Sequence, residues 1–504
     1  MDTKSFLIKN AQKYPDKPAL IFNDKTISFS QLKDIVFKLA CALSIVGIKK
    51  QDKVAIYLAN SPEYIYSYLA LFSLGAVVIP LDFMLKEEEI ILYLRHSEAK
   101  ALIAQPRHGI SLAKIKNEAE PLQKVIIKGE SSEEIKTSID FDKILNEAKT
   151  KITENEISPD DDALIMYTSG TSGLPKGVLL NYRHLDGSPE AMRYFVDLTD
   201  TDIKLCCLPL SHSGGLIYLQ NSLIFGITLI LMERFSPLEF LKLIEKYRVS
   251  CFHIVPSMYY AILQLKEFEK HDLSSLRWMV VFGAPSAPEV LARFNQHCPN
   301  THLLNGWGLT ETCPPNTVIP LGSKNIASVG KPAPWVQIAV IDEFSEPVAP
   351  GEIGEIAIKS WVVMKGYYKN TEETNRVLKN GWFHTGDLGR FDEDGFLYIA
   401  GRKKEMIKAA GQLVYAPEVE SVIQKHQDII ETAVIGMPDK LRGEIVKAFV
   451  VKSNQSALTE KDLRVFCEQH LAHFKVPHAI EFIDSLPKNR TGKIDKELLK
   501  RSSK

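Results

Sequence analysis

The sequence has almost no net charge, no regular cysteine pattern and no long uninterrupted apolar run. Its 61 Lys and Arg residues nearly balance 62 Asp and Glu residues, so no global field attracts nucleic acid or anionic lipid, and recognition of an anion has to be local. The seven cysteines form neither a CxxC pair nor a Cys/His cluster at metal-ligand spacing. This favours a reducing compartment over a disulfide framework.

Segments that would direct the chain to or through a membrane are also not evident. Residues 1–6 lack the charged-then-apolar pattern of a signal peptide, so a cytoplasmic location is expected. The charge-free runs 64–81 and 205–232 approach the length of a bilayer-spanning helix. Gly75 and Pro80 interrupt the first run, and Pro209, Gly214 and Gly226 interrupt the second. We therefore predict buried helix–strand units and no integral membrane segment.

The 504 residues are too many for one hydrophobic core, so two or more domains are expected. Apolar strands alternate with helices over 53–104 and again over 205–282, which predicts two α/β layers with largely parallel sheets. The polar tract 130–162 is predicted to be a surface excursion. Shorter strands with glycine turns follow residue 331 and indicate a small β-rich lobe.

The last hundred residues read as a small α+β domain that follows the basic run GRKK at 401–404. This run is either a hinge between two domains or an ordinary charged turn. We predict an N-terminal domain at 1–401 and a C-terminal domain at 402–504.

The segment YTSGTSGLPKG at 167–177 contains four Ser/Thr hydroxyls, three glycines and one lysine, directly after the apolar run 163–166. Such a loop can offer backbone N–H groups, hydroxyls and an ammonium to a polyphosphate. It is not a Walker A motif, because Pro175 precedes Lys176 and Gly177 follows it. A flexible surface hairpin is the alternative.

Five segments together resemble the adenylate-forming superfamily, which includes acyl-CoA synthetases, nonribosomal peptide adenylation domains and beetle luciferases. They are YTSGTSGLPKGV (167–178), NGWGLTET (305–312), GWFHTGDLGRFDEDGFLYIAGRK (381–403), GRKKEMIKAAGQLVYAPEVE (401–420) and LPKNRTGKID (486–495). The resemblance covers essentially the whole chain and points to the acyl-CoA synthetase branch. It implies that a carboxylate attacks the α-phosphate of ATP to give an acyl-adenylate and pyrophosphate, and that the thiol of CoA then captures the acyl group and releases AMP.

The resemblance also implies the site residues. Catalytic roles fall on Thr168, Lys176, Glu311 and Lys493. The implied nucleotide-binding residues are Thr168, Ser169, Gly170, Thr171, Lys176, Gly283, Ala284, Pro285, Trp307, Gly308, Thr310, Asp387, Arg402 and Lys493.

Several of these roles suit the chemistry of the side chain. Glu311 matches the ligand of Mg²⁺, a hard cation that prefers oxygen. Asp387 matches the carboxylate that accepts hydrogen bonds from both ribose hydroxyls, and Arg402 a second ribose contact. Trp307 stands where the family usually has tyrosine, and either ring offers a stacking face to adenine. Lys493 matches the lysine that reaches the carboxylate and the α-phosphate.

In the family the C-terminal domain turns about a hinge, here near Lys404, so that one site performs two reactions. The rotation withdraws Lys493 and presents the segment that contains Lys408 and Gly411, past which the pantetheine arm of CoA would run. Closure of this type gates successive steps.

His212 and Gly306 are the implied acyl-pocket residues, although Ser211 stands where phenylalanine commonly precedes that histidine. A buried structural role for His212 is the alternative. The tract CFHIVPS at 251–257 holds no carboxylate that could bind an amino acid's ammonium, so a fatty or aryl carboxylic acid is expected.

The sequence leaves open the thiol acceptor, the oligomeric state and whether the protein is catalytic. An acyl-AMP ligase that loads a separate carrier protein would differ only in the thiol acceptor. A nucleotide-binding scaffold without catalysis is a further alternative, and a homodimer is left open.

Overall fold

The structure is a computed structural model of the chain. It describes residues 2–130, 135, 138–150, 155–168, 176–283, 288–409, 412–439, 442–453, 456–489 and 493–503, with 288–292 described by backbone alone.

Helices and strands follow one another along these residues. The helices are α1 (Thr3–Lys13), α2 (Phe29–Ile45), α3 (Pro62–Leu74), α4 (Glu87–Ser97), α5 (Leu112–Glu118), α6 (Phe141–Glu147), α7 (Gly187–Val196), α8 (Ser213–Phe225), α9 (Pro237–Tyr247), α10 (Pro256–Leu263), α11 (Pro288–His297), α12 (Thr371–Val377), α13 (Ala416–Gln424), α14 (Glu460–His470) and α15 (Lys496–Ser502). The strands are β1 (Pro18–Phe22), β2 (Lys25–Ser28), β3 (Lys53–Tyr57), β4 (Val77–Pro80), β5 (Ala101–Ala104), β6 (Lys124–Ile127), β7 (Ser138–Asp140), β8 (Asp162–Thr168), β9 (Lys176–Asn181), β10 (Ile203–Cys206), β11 (Thr228–Leu231), β12 (Cys251–Ile254), β13 (Trp278–Val281), β14 (His302–Trp307), β15 (Thr317–Val318), β16 (Lys331–Pro332), β17 (Gln337–Ile341), β18 (Gly354–Lys359), β19 (Gly366–Tyr367), β20 (Leu378–Lys379), β21 (Trp382–Phe391), β22 (Leu397–Arg402), β23 (Ile407–Ala409), β24 (Gln412–Val414), β25 (Ile429–Asp439), β26 (Gly443–Lys452) and β27 (Ala479–Phe482).

Two α/β layers make up most of the N-terminal part, as the alternating pattern predicts. One sheet has the order β19-β9-β8-β4-β3-β5-β6-β7, and the other has the order β16-β15-β14-β13-β12-β10-β11-β1-β2. Neighbours from β4 to β7 in the first sheet and from β14 to β1 in the second run parallel. The largest hydrophobic cluster contains residues from both sheets and from α3 and α8, so the two layers share a core.

Helix α3 illustrates how local sequence sets its bounds. The Ser61 side chain accepts a hydrogen bond from the Tyr64 N–H, Pro62 occupies the first turn, and Gly75 ends the helix in the left-handed conformation with φ 74°. These are favoured residues at a helix start and end. The run 64–81 is thus a buried helix followed by β4, and 205–232 comprises β10, α8 and β11, which confirms both predictions of helix–strand units. Within the described ranges, no helix combines the length and the apolarity needed to cross a bilayer.

The polar tract 130–162 is more structured than a surface excursion. Strand β7 extends the first sheet by pairing parallel with β6, and α6 follows it. Phe141 at the start of α6 is fully buried in the main core. A single apolar residue amid charged neighbours gives no periodic signal, so the sequence pattern does not reveal this anchor.

The β-rich lobe and the C-terminal segment follow the two layers. The lobe is the antiparallel sheet β17-β18-β21-β20, with β22 also paired to β21, as predicted. The C-terminal segment has its own sheet, β24-β23-β26-β25 with β27 on β26, and its buried residues form clusters separate from the main core.

Candidate active site

Most of the predicted site residues lie where parallel strands of the second sheet end, a region called the crevice below. Strands β12, β13 and β14 run parallel in register, so the residues that follow their carboxyl ends lie at one edge, which is where open α/β sheets bind ligands. Gly283 follows β13, and Trp307 is the last residue of β14. The hairpin of β21 and β22 from the β-rich lobe faces this edge through Asp387.

Asp387 connects the sheet edge to the β-rich lobe. The indole Nε1–H of Trp307 donates to Asp387 Oδ2 at 2.9 Å. Arg402, its cross-strand partner on β22, places Nε 3.1 Å from Asp387 Oδ1. Burial raises the pKa of the Asp387 carboxyl, although Arg402 and Trp307 oppose the shift. The three predicted residues therefore form one contact group, with a carboxylate that has little solvent to stabilise its charge.

Glu311 lies on the short 3-10 turn Thr310–Thr312 that follows β14. The Tyr367 hydroxyl donates to Glu311 Oε1 at 3.0 Å, and the Met364 N–H donates to the Glu311 carbonyl at 2.8 Å. Burial raises the pKa of the Glu311 carboxyl. The charge of Arg402 lowers this pKa, and the charge of Asp387 raises it. Glu311 is half-buried, and a carboxylate that has lost part of its solvent and accepts from a neutral phenol is one that a bound cation would stabilise.

Lys493 reaches this crevice from the C-terminal segment. A Cβ at Gly283 would lie 2.9 Å from Lys493 Cε and 3.5 Å from its Nζ. Gly283 also has φ +92°, a left-handed conformation that favours glycine. Burial lowers the pKa of Lys493, and so does Arg402, whereas Asp387 and Glu311 raise it.

Two hydrogen bonds join Lys493 to Asn489. The Lys493 N–H donates to the Asn489 side-chain oxygen at 3.0 Å, and the Asn489 N–H donates to the Lys493 carbonyl at 2.7 Å. Lys488 and Ile494 form an antiparallel bridge next to this pair. Lys493 is thus held by contacts between the described residues on either side of 490–492.

The described ends of the predicted phosphate loop are the cross-strand pair Thr168 and Lys176, on β8 and β9. Lys176 Nζ forms an ion pair with Glu373 and lies 5.3 Å from the centroid of the Tyr367 ring. Since Tyr367 also donates to Glu311, the predicted phosphate lysine and the predicted metal ligand share a neighbour. Ser169, Gly170 and Thr171 lie outside the described residues.

Sequence reasoning missed Tyr367 and Glu373. They lie about 190 residues after Lys176, on β19 and α12. Strand β19 reaches the site by pairing antiparallel with β9. A two-residue strand leaves no periodic signal, so no pattern in the sequence could have placed these side chains beside the loop.

The remaining predicted residues lie around the crevice or beyond the described ranges. His212 is the N-cap residue of α8, and its Nε2 lies 3.0 Å from Asp82 Oδ2, a partner that the sequence did not indicate. Gly306 lies under the Phe282 ring, because a Cβ there would be 2.1 Å from Phe282 Cε1. Gly308 packs against Pro314 and Asn316, where a Cβ would be 2.7 and 2.9 Å from their atoms.

The residues predicted for thioester formation lie in the C-terminal segment, after the predicted hinge. Lys404, on the 3-10 turn Lys403–Glu405, and Lys408, on β23, are exposed. Ala284, Pro285 and Gly411 lie outside the described residues.

Two carboxylates and three cations therefore surround one crevice, with Lys493 brought in from the far end of the chain. Carboxylates suit a ribose and a divalent cation, and the cations suit phosphates and a substrate carboxylate. In the part of the chain that is described, no three His, Cys, Asp or Glu side chains form a metal-binding group. A magnesium ion held by one carboxylate together with substrate phosphates needs no such group.

Comparison with known proteins gives consistent similarities over the full length. The model of the AMP-binding enzyme family matches residues 7–368, and that of the AMP-binding enzyme C-terminal domain matches residues 418–493. A long-chain-fatty-acid–CoA ligase of Bacillus subtilis (strain 168) is 35% identical over 520 residues, covering 97% of this chain and 92% of its own. The anthranilate CoA ligase AuaEII, solved with anthranoyl-AMP, superposes with a TM-score of 0.93 at 26% identity, covering 100% of this chain and 97% of its own. ATP-bound MatB from Rhodopseudomonas palustris gives a TM-score of 0.90 at 28% identity, covering 100% of this chain and 99% of its own.

Proposed function

Because the chain belongs to the AMP-binding enzyme family and is an AMP-forming acyl-CoA synthetase, we propose that it adenylates its acid in the crevice around Asp387, Glu311 and Lys493. The reaction is the ATP-dependent ligation of a fatty or aryl carboxylic acid to CoA through an acyl-adenylate. The observation that carries the proposal is the position of Lys493 against Gly283, in the electrostatic reach of both carboxylates. Separate parts of the chain thus supply the ribose, metal and phosphate contacts of one site.

Lys493 is proposed to act at the atoms that react. A substrate carboxylate oxygen forms a bond to the α-phosphorus of ATP as the bond from that phosphorus to the bridging oxygen breaks, and pyrophosphate leaves. Both reactants are anions, so a compact ammonium between them lowers their repulsion and stabilises the charge of the transition state. Burial strengthens this effect, because less water screens the lysine.

Asp387 and the phosphate-loop residues are proposed to hold the nucleotide. Asp387 accepts hydrogen bonds from the ribose hydroxyls while Arg402 and Trp307 fix its orientation. Thr168, Thr310 and Lys176 bind the phosphates. For Lys176 this requires that the nucleotide compete with Glu373, its present ion-pair partner.

Glu311 is proposed as the protein ligand of Mg²⁺. Its side chain is half-buried and accepts from the neutral hydroxyl of Tyr367, a setting that fits a hard cation. The ion would neutralise part of the phosphate charge.

The C-terminal domain, 402–504, is proposed to rotate about a hinge near Lys404. Its separate buried clusters support a body that can move as a unit. The present arrangement, with Lys493 in the crevice, corresponds to adenylation. Rotation would withdraw Lys493 and bring the segment of Lys408 and Gly411 to the crevice for the attack of CoA.

The acyl group is proposed to extend past Gly306 towards His212. The contact of His212 Nε2 with Asp82 Oδ2 at 3.0 Å holds the imidazole in place, which suits a role in positioning the acid. A separate carrier protein remains the alternative acceptor to CoA.

A substrate panel tests the proposed function. Purified protein is incubated with ATP, Mg²⁺ and a mixed pool of fatty and aryl acids, and acid-dependent ATP–pyrophosphate exchange is measured, followed by CoA-dependent AMP release. We expect both activities. Binding of ATP without acid-dependent exchange would instead indicate a non-catalytic scaffold, and exchange without CoA-dependent release would favour a carrier-protein acceptor.

Glu311→Gln separates the metal role from folding. We expect exchange to fall roughly 10²-fold, because a metal at a phosphoryl oxygen contributes several kcal/mol, and the Mg²⁺ concentration for half-maximal activity to rise. The ATP-free variant should melt at a higher temperature than wild type at neutral pH. Since burial raises the pKa of Glu311, its ionisation opposes folding above that raised pKa, and glutamine removes the cost.

The pH dependence of this stability difference provides a check. The difference should shrink as the pH falls through the raised pKa and disappear below the ordinary value of 4.5. Glu393→Gln, at an exposed turn position, serves as the control and should change neither activity nor melting temperature. A Glu311→Gln variant with normal Mg²⁺ dependence would exclude Glu311 as the ligand.

A further inference from the structure

We infer that this synthetase selects compact acids, with a short chain or a single ring, because stacked aromatic side chains close the path beyond the carboxylate site. The inference rests on the proposed function, which places the acid's carboxylate beside Lys493. The chain or ring attached to that carboxylate then contacts the side chains that lie beyond Lys493.

The register of the second sheet defines this path. Val255 follows β12, Phe282 follows β13, and Gly306 is the second-last residue of β14. Two residues deeper on the same face are His253, Val280 and Leu304, of which Val280 is the cross-strand neighbour of the other two. Alternate residues of a strand point to one face. An acid that enters beside Gly283 therefore proceeds over this face, beneath α8.

Phe282 and His253 occupy the first part of the path. The Phe282 ring lies directly over Gly306, where a Cβ would be 2.1 Å from its Cε1. The Phe282 and His253 rings have centroids 5.7 Å apart at an interplanar angle of 67°, the edge-to-face arrangement that aromatic pairs favour. The pocket floor is thus set by two rings in contact.

Tyr218 of α8 fills the space between this helix and the sheet at the end of the path. Its ring stacks on His253 with centroids 3.8 Å apart and an interplanar angle of 20°. Its hydroxyl accepts from the His253 N–H at 2.7 Å and donates to the His253 carbonyl at 2.6 Å. These bonds satisfy backbone groups that would otherwise be buried without partners. The stack therefore cannot move aside without breaking them.

The His253 ring is fixed as well. Its Nε2 lies 2.7 Å from the carbonyl oxygen of Gly214 in the first turn of α8, so Nε2 carries the proton and donates. Burial holds the pKa of His253 well below its usual value, and the nearby Lys204 lowers it further. The ring is thus neutral and bound to both the helix and the sheet.

A buried cation lies behind the stack. Lys204 on β10 is fully buried, and its Nζ lies 4.9 Å from the Tyr218 ring centroid and 5.3 Å from that of Trp278. This ammonium has no hydrogen-bond partner among the described residues. Burial lowers the pKa of Lys204 to about 8. A long alkyl chain that passed the stack would bring further apolar surface against an ammonium already deprived of water, which is unfavourable.

Activity on a panel of acids tests the inference. The panel spans butyrate to palmitate and includes benzoate and cinnamate, and kcat/KM is measured as CoA-dependent AMP release. We expect wild type to favour the compact acids over palmitate by at least about 10²-fold, since each methylene that a pocket cannot accept costs roughly tenfold or more. Comparable kcat/KM values for palmitate and the compact acids would overturn the inference while leaving the proposed function intact. No AMP release with any acid would contradict the proposed function instead.

Phe282→Ala tests the role of the stack directly. We expect its preference to shift by about tenfold or more towards the longer acids, with a loss on the compact ones that Phe282 contacts. Phe282→Leu, which keeps apolar bulk, should shift the preference less. Phe344→Ala removes a phenylalanine that is 77% exposed and should leave the whole panel unchanged. If folded Phe282→Ala keeps the wild-type substrate preference, the Phe282 ring does not set that preference. If the variant does not fold, the wild-type panel still tests the inference.

Discussion

Lys493→Ala should lower the rate of adenylate formation by about 10²- to 10³-fold, the loss typical of removing one preorganised charge-stabilising group. Thioester formation from supplied acyl-adenylate and CoA should be largely retained, because the lysine is withdrawn in the arrangement proposed for that step. ATP–pyrophosphate exchange measures the first half-reaction, and AMP release from synthetic acyl-adenylate measures the second.

Two further variants distinguish the charge of Lys493 from the loop that carries it. Lys488→Ala removes a lysine of the same loop that pairs with Glu431 at 2.9 Å, and it should leave both half-reactions near wild type. Burial lowers the pKa of Lys493 below 10.5, so wild-type adenylation should decline with rising pH before an ordinary lysine would lose its proton. Lys493→Arg should lack this alkaline decline, since arginine keeps its charge. Equal loss in both half-reactions for Lys493→Ala would defeat the assignment.

Asp387→Ala should raise the KM for ATP by roughly 10²-fold. Truncation removes the acceptor proposed for the ribose hydroxyls, leaves the Trp307 indole N–H without its acceptor and deprives Arg402 of its ion pair. Losing charge-assisted hydrogen bonds and stranding their partners each cost on the order of 1–3 kcal/mol. Initial-rate kinetics over a range of ATP concentrations measure the effect.

Nucleotide analogues separate a ribose contact from a general disturbance of the site. Wild type should discriminate ATP from 3′-deoxy-ATP by about tenfold, whereas Asp387→Ala should treat them nearly alike, because the interacting carboxylate is gone. Asp387→Asn keeps an acceptor for Trp307 and should be intermediate. Asp394→Ala, at the exposed turn between β21 and β22, should retain full discrimination. If Asp387→Ala still discriminates ATP from 3′-deoxy-ATP as wild type does, Asp387 does not bind the ribose.

The order and type of the main elements could be predicted from sequence because local rules set them. Helices α3 and α9 span Pro62–Leu74 and Pro237–Tyr247, and each has proline in its first turn and a residue in the left-handed conformation just after its end. Alternation of such helices with short apolar strands was sufficient to predict both α/β layers. The motif residues likewise identified the family, which the comparisons confirm.

The assembly of the site was only partly predictable. The resemblance named Asp387, Arg402 and Trp307, and the structure brings them into contact. It did not supply Tyr367, which donates to Glu311 from 56 residues away. The domain boundary, the hinge and the individual residue roles stay predictions that the variants above can test.

The sequence by itself determined the α/β layers and the β-rich lobe, because periodicity is a local property of the chain, and its motifs identified the family. Only the tertiary structure decided which side chains meet around the crevice, including the three rings on which the proposed limit to the acyl group rests. Phe282, His253 and Tyr218 lie on three separate elements, and no local pattern signals that their rings meet. Their contact depends on how α8 packs against the sheet, and that packing is settled by the whole core rather than by any one segment.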